Sequence, residues 1–203
     1  MKTIIPSQWL RHVIPVMLPA ACTVFSQPSL AAWHLDPKLS QVHFITVKNS
    51  TIAEVNQFKT ITGIINDQGA AVVDIDLASV DTKVDIRDQR IKEKLFNVLH
   101  YPEASLSAQI DMKPLQQMKL GEQKIVPLNA VLSLHDQQQS IQTHVSVVAI
   151  EDGSFSINTL EPILINADLF GMSDGIKALQ NIANLEVISP IIPVTAQFVF
   201  QAE

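Results

Sequence analysis

Apolar and polar side chains take turns along most of the chain from Trp33 onward, and a period of two marks strands with one buried face. Ala71, Val73, Ile75 and Leu77 fall on one face, with Asp74 and Asp76 opposite. Ala104, Leu106, Ala108, Ile110 and Met112 alternate against Glu103, Ser105, Ser107, Gln109 and Asp111. The same rhythm returns over residues 126–134, 141–149 and 194–200. Alternation this clean favours antiparallel pairing, because parallel strands covered by helices read as unbroken apolar runs. It predicts strands near residues 40–48, 56–66, 70–79, 103–113, 124–135, 140–151, 154–166 and 187–201. Asn66-Asp67-Gln68-Gly69, Asp136-Gln137-Gln138-Gln139 and Glu151-Asp152-Gly153 supply the turns between neighbours.

Two segments break the rhythm. Residues 85–99 carry Ile91, Leu95 and Val98 at helical spacing and stop before Tyr101-Pro102. Residues 174–185 place Ile176, Leu179 and Ile182 or Ala183 on one face. Strands in this number must hide their edges, and closure does so without a second domain. The predicted fold is mainly β: an eight-stranded antiparallel barrel with one or two short helices. Its inward positions are rich in Ala and Val, and only 5% of the chain is aromatic. That pattern leaves a ligand cavity and a filled core equally open.

The first thirty-odd residues follow a different rule. Lys2 and Arg11 precede an apolar run over residues 13–25, followed by Ser29-Leu30-Ala31-Ala32. A membrane-spanning helix needs ~20 apolar residues, and this run is shorter and carries Pro15 and Pro19. A basic start, a short apolar stretch and small residues at the end predict a cleaved signal peptide over residues 1–31. Cleavage after Ala32 is the near alternative, and a lipoprotein acylated at Cys22 is the rival. The mature domain is then residues 32–203, exported to the periplasm or secreted.

Composition narrows the class. The chain has 203 residues, 47% apolar and 17% charged, too apolar for disorder and ample for a core. Its formal charge is −6; the leader holds two of the fourteen Lys and Arg and none of the twenty Asp and Glu, so the mature chain carries −8. That balance argues against a nucleic-acid partner, which needs clustered cations. The lone Cys22 rules out an intrachain disulfide or a cysteine zinc cage.

Three features invite a chemical reading. Gly171-Met172-Ser173-Asp174-Gly175 fits the G-x-S-x-G elbow that presents a nucleophilic serine. An activating histidine should follow it in that hydrolase order, but the last histidine is His144. A turn capping the next helix is therefore favoured over an esterase at Ser173. His34, His43, His135 and His144 lack metal-ligand spacing, so no metal site is expected. Arg87-Asp88 and Arg90 open a helix, where local ion pairs on a solvated face are the simplest reading.

Ordered landmarks carry a resemblance across residues 33–200. Trp33-His34-Leu35-Asp36-Pro37 and Ser40-Gln41-Val42-His43-Phe44 are followed by Val80-Asp81-Thr82, Arg87-Asp88, Leu95-Phe96 and Tyr101-Pro102. Ala167-Asp168-Leu169-Phe170-Gly171-Met172 closes the series. In order and spacing these motifs resemble the YceI-like family of bacterial polyisoprenoid-binding proteins. The resemblance implies a lipocalin-like barrel whose apolar interior holds an isoprenoid tail, a periplasmic or secreted location and no catalytic chemistry. The chain departs from the family pattern twice. Asn166 and Ala167 stand where an arginine often precedes the late D-F-G, with Leu169 as an extra residue. Ser50-Thr51-Ile52-Ala53-Glu54 replaces a short segment containing glycine and histidine, which points to a different head group if either region meets the ligand's polar end.

The expected function is a carrier or scavenger of an isoprenoid, polyprenyl or prenylquinone-like, or of another long-chain amphiphile. Each CH₂ moved from water into an apolar tube contributes ~0.8 kcal/mol, so the tail alone supplies affinity. Expected lining positions are Phe44, Ile75, Leu77, Leu106, Ile110, Leu128, Leu132, Val145, Phe155, Phe170 and Phe198, with Arg87, Asp88 and Tyr101 as head-group candidates. No catalytic residue, metal or cofactor is expected beyond the lipid itself. Transient membrane contact fits a lipid cargo, and the oligomeric state, a homodimer included, is left open. The second reading is a packed interaction barrel that works through loops near 50–58 or 113–124.

Overall fold

The computed structural model describes residues 31–202. Apart from Ala31 the expected leader, with Cys22, lies outside the described residues. Twelve strands form one antiparallel sheet: β1 (Ala31–Leu35), β2 (Gln41–Lys48), β3 (Ile52–Phe58), β4 (Ile61–Asn66), β5 (Ala70–Asp76) and β6 (Val80–Asp81) come first. β7 (Glu103–Gln109), β8 (Gln123–Leu134), β9 (Gln137–Ala149), β10 (Phe155–Thr159), β11 (Ile163–Asn166) and β12 (Ile191–Ala202) complete it. Pairing runs β1–β4–β5–β7–β8–β9–β10–β12, and Trp33 opposite Ala202 joins β12 back to β1. The ring is closed, with eight staves in chain order, as the alternation predicts.

Four staves are bent rather than continuous. β2 continues β1 along β12, with Phe44 opposite Val194. β11 continues β10 on the other side of β12, with Ile163 opposite Val194. β3 extends β4, and β6 extends β5 after a 3₁₀ turn at Leu77–Ser79. Pro37 and Pro162 lie in two of these breaks, where a missing N–H would interrupt a ladder. Three boundaries differ from expectation. The segment 52–55 is strand, not loop: Ile52 and Val55 are apolar on opposite faces, which hides the period of two. The connection expected at residues 136–139 shrinks to His135-Asp136, both at positive φ (54° and 56°), and Gln137 already pairs with Leu134. Such a two-residue turn matches strand twist, and the glutamines that follow, with Gln137 and Gln139 on the inner face opposite Leu134 and Leu132, merely look like loop. The helix expected over 85–99 is α1 (Asp85–Arg90) running into a single π turn, Ile91–Leu95.

The two ends of the barrel differ. At the closed end Trp33, Ile65, Phe155 and Phe200 pack with Met112 and Leu115, carried by the connection that includes the short helix α2 (Lys113–Gln116). The Trp33 indole donates to the Gly153 carbonyl at 3.0 Å, satisfying its one polar atom. At the other end α1, the π turn and α3 (Ser173–Ile182) lie across the strand ends.

Asp81 ties the bent stave together at that second end. It accepts from the Lys83 amide at 2.9 Å, from Lys59 at 3.0 Å and from Gln57 at 3.1 Å. The Lys83 amide, then Lys59 and Gln57, hold its carboxyl at about 2, against an ordinary 3.8. A depressed native pKa stabilises the fold above the unfolded value and ceases to do so as pH falls through the native one. Carboxyl NMR should therefore place the Asp81 midpoint near 2, with its share of stability disappearing from pH ~4 downward. A midpoint at 3.8 would show these bonds absent in solution.

Candidate functional site

A cavity of about 530 Å³ occupies the half of the barrel beneath α1 and α3. It is walled by the inward faces of the staves, which carry mid-sized aliphatics and alanines there, including Ala104 and Ala196, beside the rings of Phe44, Phe58, Phe96 and Phe198. The predicted face of α3 supplies part of the cover: Ile176, Leu179, Ile182 and Ala183 all line the space. Ile182 is itself exposed, so the cavity reaches the surface beside it.

Phe44, Ile75, Leu77, Leu106, Leu128, Leu132, Val145 and Phe198 line this cavity. Three of the expected lining residues do not. Strand β7 ends at Gln109, so Ile110 leaves the ladder, its amide bonding the Gly69 carbonyl, and it packs on the closed-end cluster. Phe155 opens β10 at that same end, its ring 6.0 Å from Trp33. Phe170 lies in a 3₁₀ turn rather than a strand and is buried in the cluster that includes the lining residues Met172 and Ala167. Alternation was right about direction for the first two and silent about height along the barrel axis.

Of the head-group candidates only Arg87 lines the cavity. Asp88 turns away and accepts from the amide and the hydroxyl of Thr82, at 2.9 and 2.5 Å, fixing the start of α1. Tyr101 stacks on His135, ring centres 4.1 Å apart, and His135 bonds the Phe96 carbonyl at 2.8 Å. Those two residues brace the π turn instead of meeting the cavity.

The rim holds further charged groups that were not among the head-group candidates, although Arg90 was read as part of a solvated helix face and Glu54 as part of a segment departing from the family pattern. Lys48, Glu54 and Arg90 line the cavity together with Arg87. One Glu54 oxygen receives Lys48 and Arg87, each at 2.6 Å. Arg87 also donates twice to Thr82, from Nε to the hydroxyl at 2.8 Å and from Nη2 to the carbonyl at 2.6 Å. Burial works to raise the Glu54 pKa, but hydrogen bonds from Lys48 and Arg87, and then their charges, outweigh it and hold the carboxyl below its ordinary 4.5. Just inside, Asn56 is buried and donates to the Thr46 hydroxyl at 3.1 Å. Thr46 and Lys48 were legible: they continue the inward face of Val42 and Phe44 at a period of two.

The serine motif has a structural explanation. Ser173 stands at the start of α3 and donates to Asp168 at 2.5 Å, and it is not among the cavity-lining residues. Gly171 adopts φ 70°, ending the preceding turn, where a side chain would strain the backbone. A Cβ on Gly175 would fall 2.6 Å from the Lys94 carbonyl, so this glycine lets α3 pack directly on the π turn. Among the described residues no three His, Asp or Glu groups converge as a metal site requires.

Residues 33–200 match the family model of the YceI-like domain. Among solved structures, the fold is similar to a polyisoprenoid-binding domain from Saccharophagus degradans implicated in plant cell wall breakdown, with 30% identity and a TM-score of 0.84. That match covers 86% of this chain and 100% of the other. BcnA from Burkholderia cenocepacia shares the fold at 15% identity and a TM-score of 0.61, covering 81% of this chain and 98% of its own. No curated protein sequence matches the chain.

Proposed function

This chain belongs to the YceI-like family, and from that premise we propose that it is an exported carrier that holds the tail of an isoprenoid lipid inside its barrel. The observation that carries this reading is the 530 Å³ cavity, walled by aliphatic side chains from β2 around to β12 and covered by α3. A volume of 300–1,000 Å³ is typical of small-molecule sites. The reading is strengthened by what the Saccharophagus degradans relative is said to bind. The packed-barrel alternative requires no such space, and the cavity counts against it. Binding rather than turnover is proposed, since the walls offer aliphatic surface and no serine–histidine pair. The leader over residues 1–31 supports export, with loading through transient contact with a membrane.

Taking roughly 30 Å³ per heavy atom, the space a water molecule occupies in the liquid, the cavity accepts roughly 18 heavy atoms, or three to four isoprene units. Affinity for prenyl alcohols should accordingly climb steeply to about four units and then flatten, because further units emerge into water. Titration of the detergent-free protein with alcohols of two to eight units measures this. Mass spectrometry of an organic extract identifies the resident lipid. An empty extract together with no binding at any chain length would overturn the carrier reading.

A further inference from the structure

The outer wall of the barrel is not uniformly polar. On β2, β3, β11 and β12 the side chains that line the cavity alternate with outward ones, and most of the outward ones near the open end are apolar. Leu164 pairs with Pro193, and Ile45 with Val55. Pro193 and Ile45 adjoin Val194 and Phe44, the pair that joins β12 to β2, so these four side chains form one row across four strands. Ile191, Val47 and Ala53 form a second row beside it, nearer the open end. Leu164 is 67% exposed and Val55 56%. Apolar outer positions this open to water add nothing to the core, and grouped together they mark a contact surface.

The charges lie elsewhere. The next row towards the closed end is Thr195, His43 and Gln57, whereas the opposite wall turns Asp74, Asp76 and Glu103 outward. The apolar rows also continue to the cavity. The Asn49 amide bonds the Val187 carbonyl and the Ser189 amide bonds the Val47 carbonyl, both at 2.9 Å, which sets the exposed Val187 beside the second row. The Glu186 carbonyl in turn accepts from Gln180 of α3 at 2.8 Å, two residues before Ile182, where the cavity reaches the surface.

Shape and area select the occupant. Strand spacing gives the two rows roughly 250 Å², against the ~800 Å² that each partner brings to a stable protein interface. The face is the convex outside of a barrel, so a rigid second copy would cover only part of it. A fluid lipid surface conforms to a convex shape, and uncharged side chains enter it without the cost of desolvating a charge. We propose that this strip is the surface on which the barrel rests against a lipid bilayer, bringing the cavity opening beside Ile182 to the membrane. The proposal rests on the carrier reading and assigns its loading surface. Adsorption is apolar, so zwitterionic lipid suffices, and anionic lipid adds no attraction for a chain of formal charge −6.

The test is co-sedimentation of the barrel, residues 31–203 without the apolar leader, with phosphatidylcholine vesicles. Leu164→Glu and Val55→Glu, on separate strands, should each lower the vesicle-bound partition coefficient about tenfold or more, the scale of losing one buried aliphatic side chain. Ile125→Glu, at an equally exposed position on β8, should leave it within about twofold. Farnesol affinity in vesicle-free buffer should stay within about twofold in all three, which also shows that each variant is folded. Failure of the parent to bind vesicles would overturn the proposal, as would an equal loss in Ile125→Glu. Binding that requires phosphatidylglycerol and disappears in salt would overturn it by placing adsorption on cations. Self-association that Leu164→Glu abolishes, without vesicle binding, would overturn it by making the strip an interface between copies. Vesicle binding by a parent that takes up no farnesol would remove the carrier reading, and with it the loading role of the strip.

Discussion

Ala196→Phe is expected to weaken prenyl-chain binding roughly fiftyfold or more while the barrel remains folded. Ala196 lies on β12 between Val194 and Phe198, and all three line the cavity. A ring placed there fills space that the ligand tail would occupy. At ~0.8 kcal/mol per CH₂, displacing even three tail carbons forfeits ~2.4 kcal/mol, which is roughly fiftyfold in affinity. The stability change distinguishes the explanations. Filling an empty apolar space commonly raises stability by ~0.5–2 kcal/mol, whereas forcing a ring into a packed core costs ~1–3 kcal/mol. Isothermal titration with a prenyl alcohol and urea unfolding of the ligand-free variant measure both. Lower stability with unchanged lipid affinity would mean that the interior around Ala196 is not the binding site.

Phe200→Ala is expected to cost about 3–5 kcal/mol, the usual range for deleting a buried phenyl ring. Phe200 is 2% exposed and stands opposite Leu35 on β1 and Phe155 on β10, so it packs where the ring of strands closes. Against a typical total of 5–15 kcal/mol this is a large fraction, and the midpoint of thermal unfolding should fall by roughly 6–20 °C. Because Phe200 belongs to the closed end and does not line the cavity, the chain-length profile of bound alcohols should keep its shape in the folded variant. A loss under ~1 kcal/mol would show that the closed end does not carry the core. The pair of variants thus separates the two halves of one barrel: Phe200 sustains the fold, and Ala196 leaves room for a ligand.

Much of the fold was written in local pattern. Period-two alternation specified which residues pair inward, short turn sequences specified antiparallel neighbours, and the count of staves specified closure. The places where this reading slipped share a cause. At Ile52 and Val55 both faces of the strand are apolar, because one side chain sits at an exposed rim and the other on the outer surface. At residues 137–139 three glutamines, two of them on the inner face opposite Leu134 and Leu132 at the rim, resembled a loop. Local pattern reports an average of face and solvent contact, and it loses the strand where both faces meet water.

The candidate site was legible in part. Eight lining residues and the inner face of α3 follow from periodicity, since an inward side chain must point at whatever the barrel encloses. Periodicity carries no information about position along the axis. That is why Ile110 and Phe155, equally inward, end in the closed-end core while Leu106 and Phe198 meet the cavity. Nor could it join Glu54 to Arg87, which are 33 residues apart and on different elements until β6 folds back along β3 and aims α1 over the rim. The sequence by itself determined a closed antiparallel barrel and the identity of its inner wall, because alternation is a local consequence of burying one face. Only the tertiary structure decided which end is filled, which end is hollow and which charges meet at the mouth, because those depend on strand ends and helix placement fixed by contacts remote along the chain.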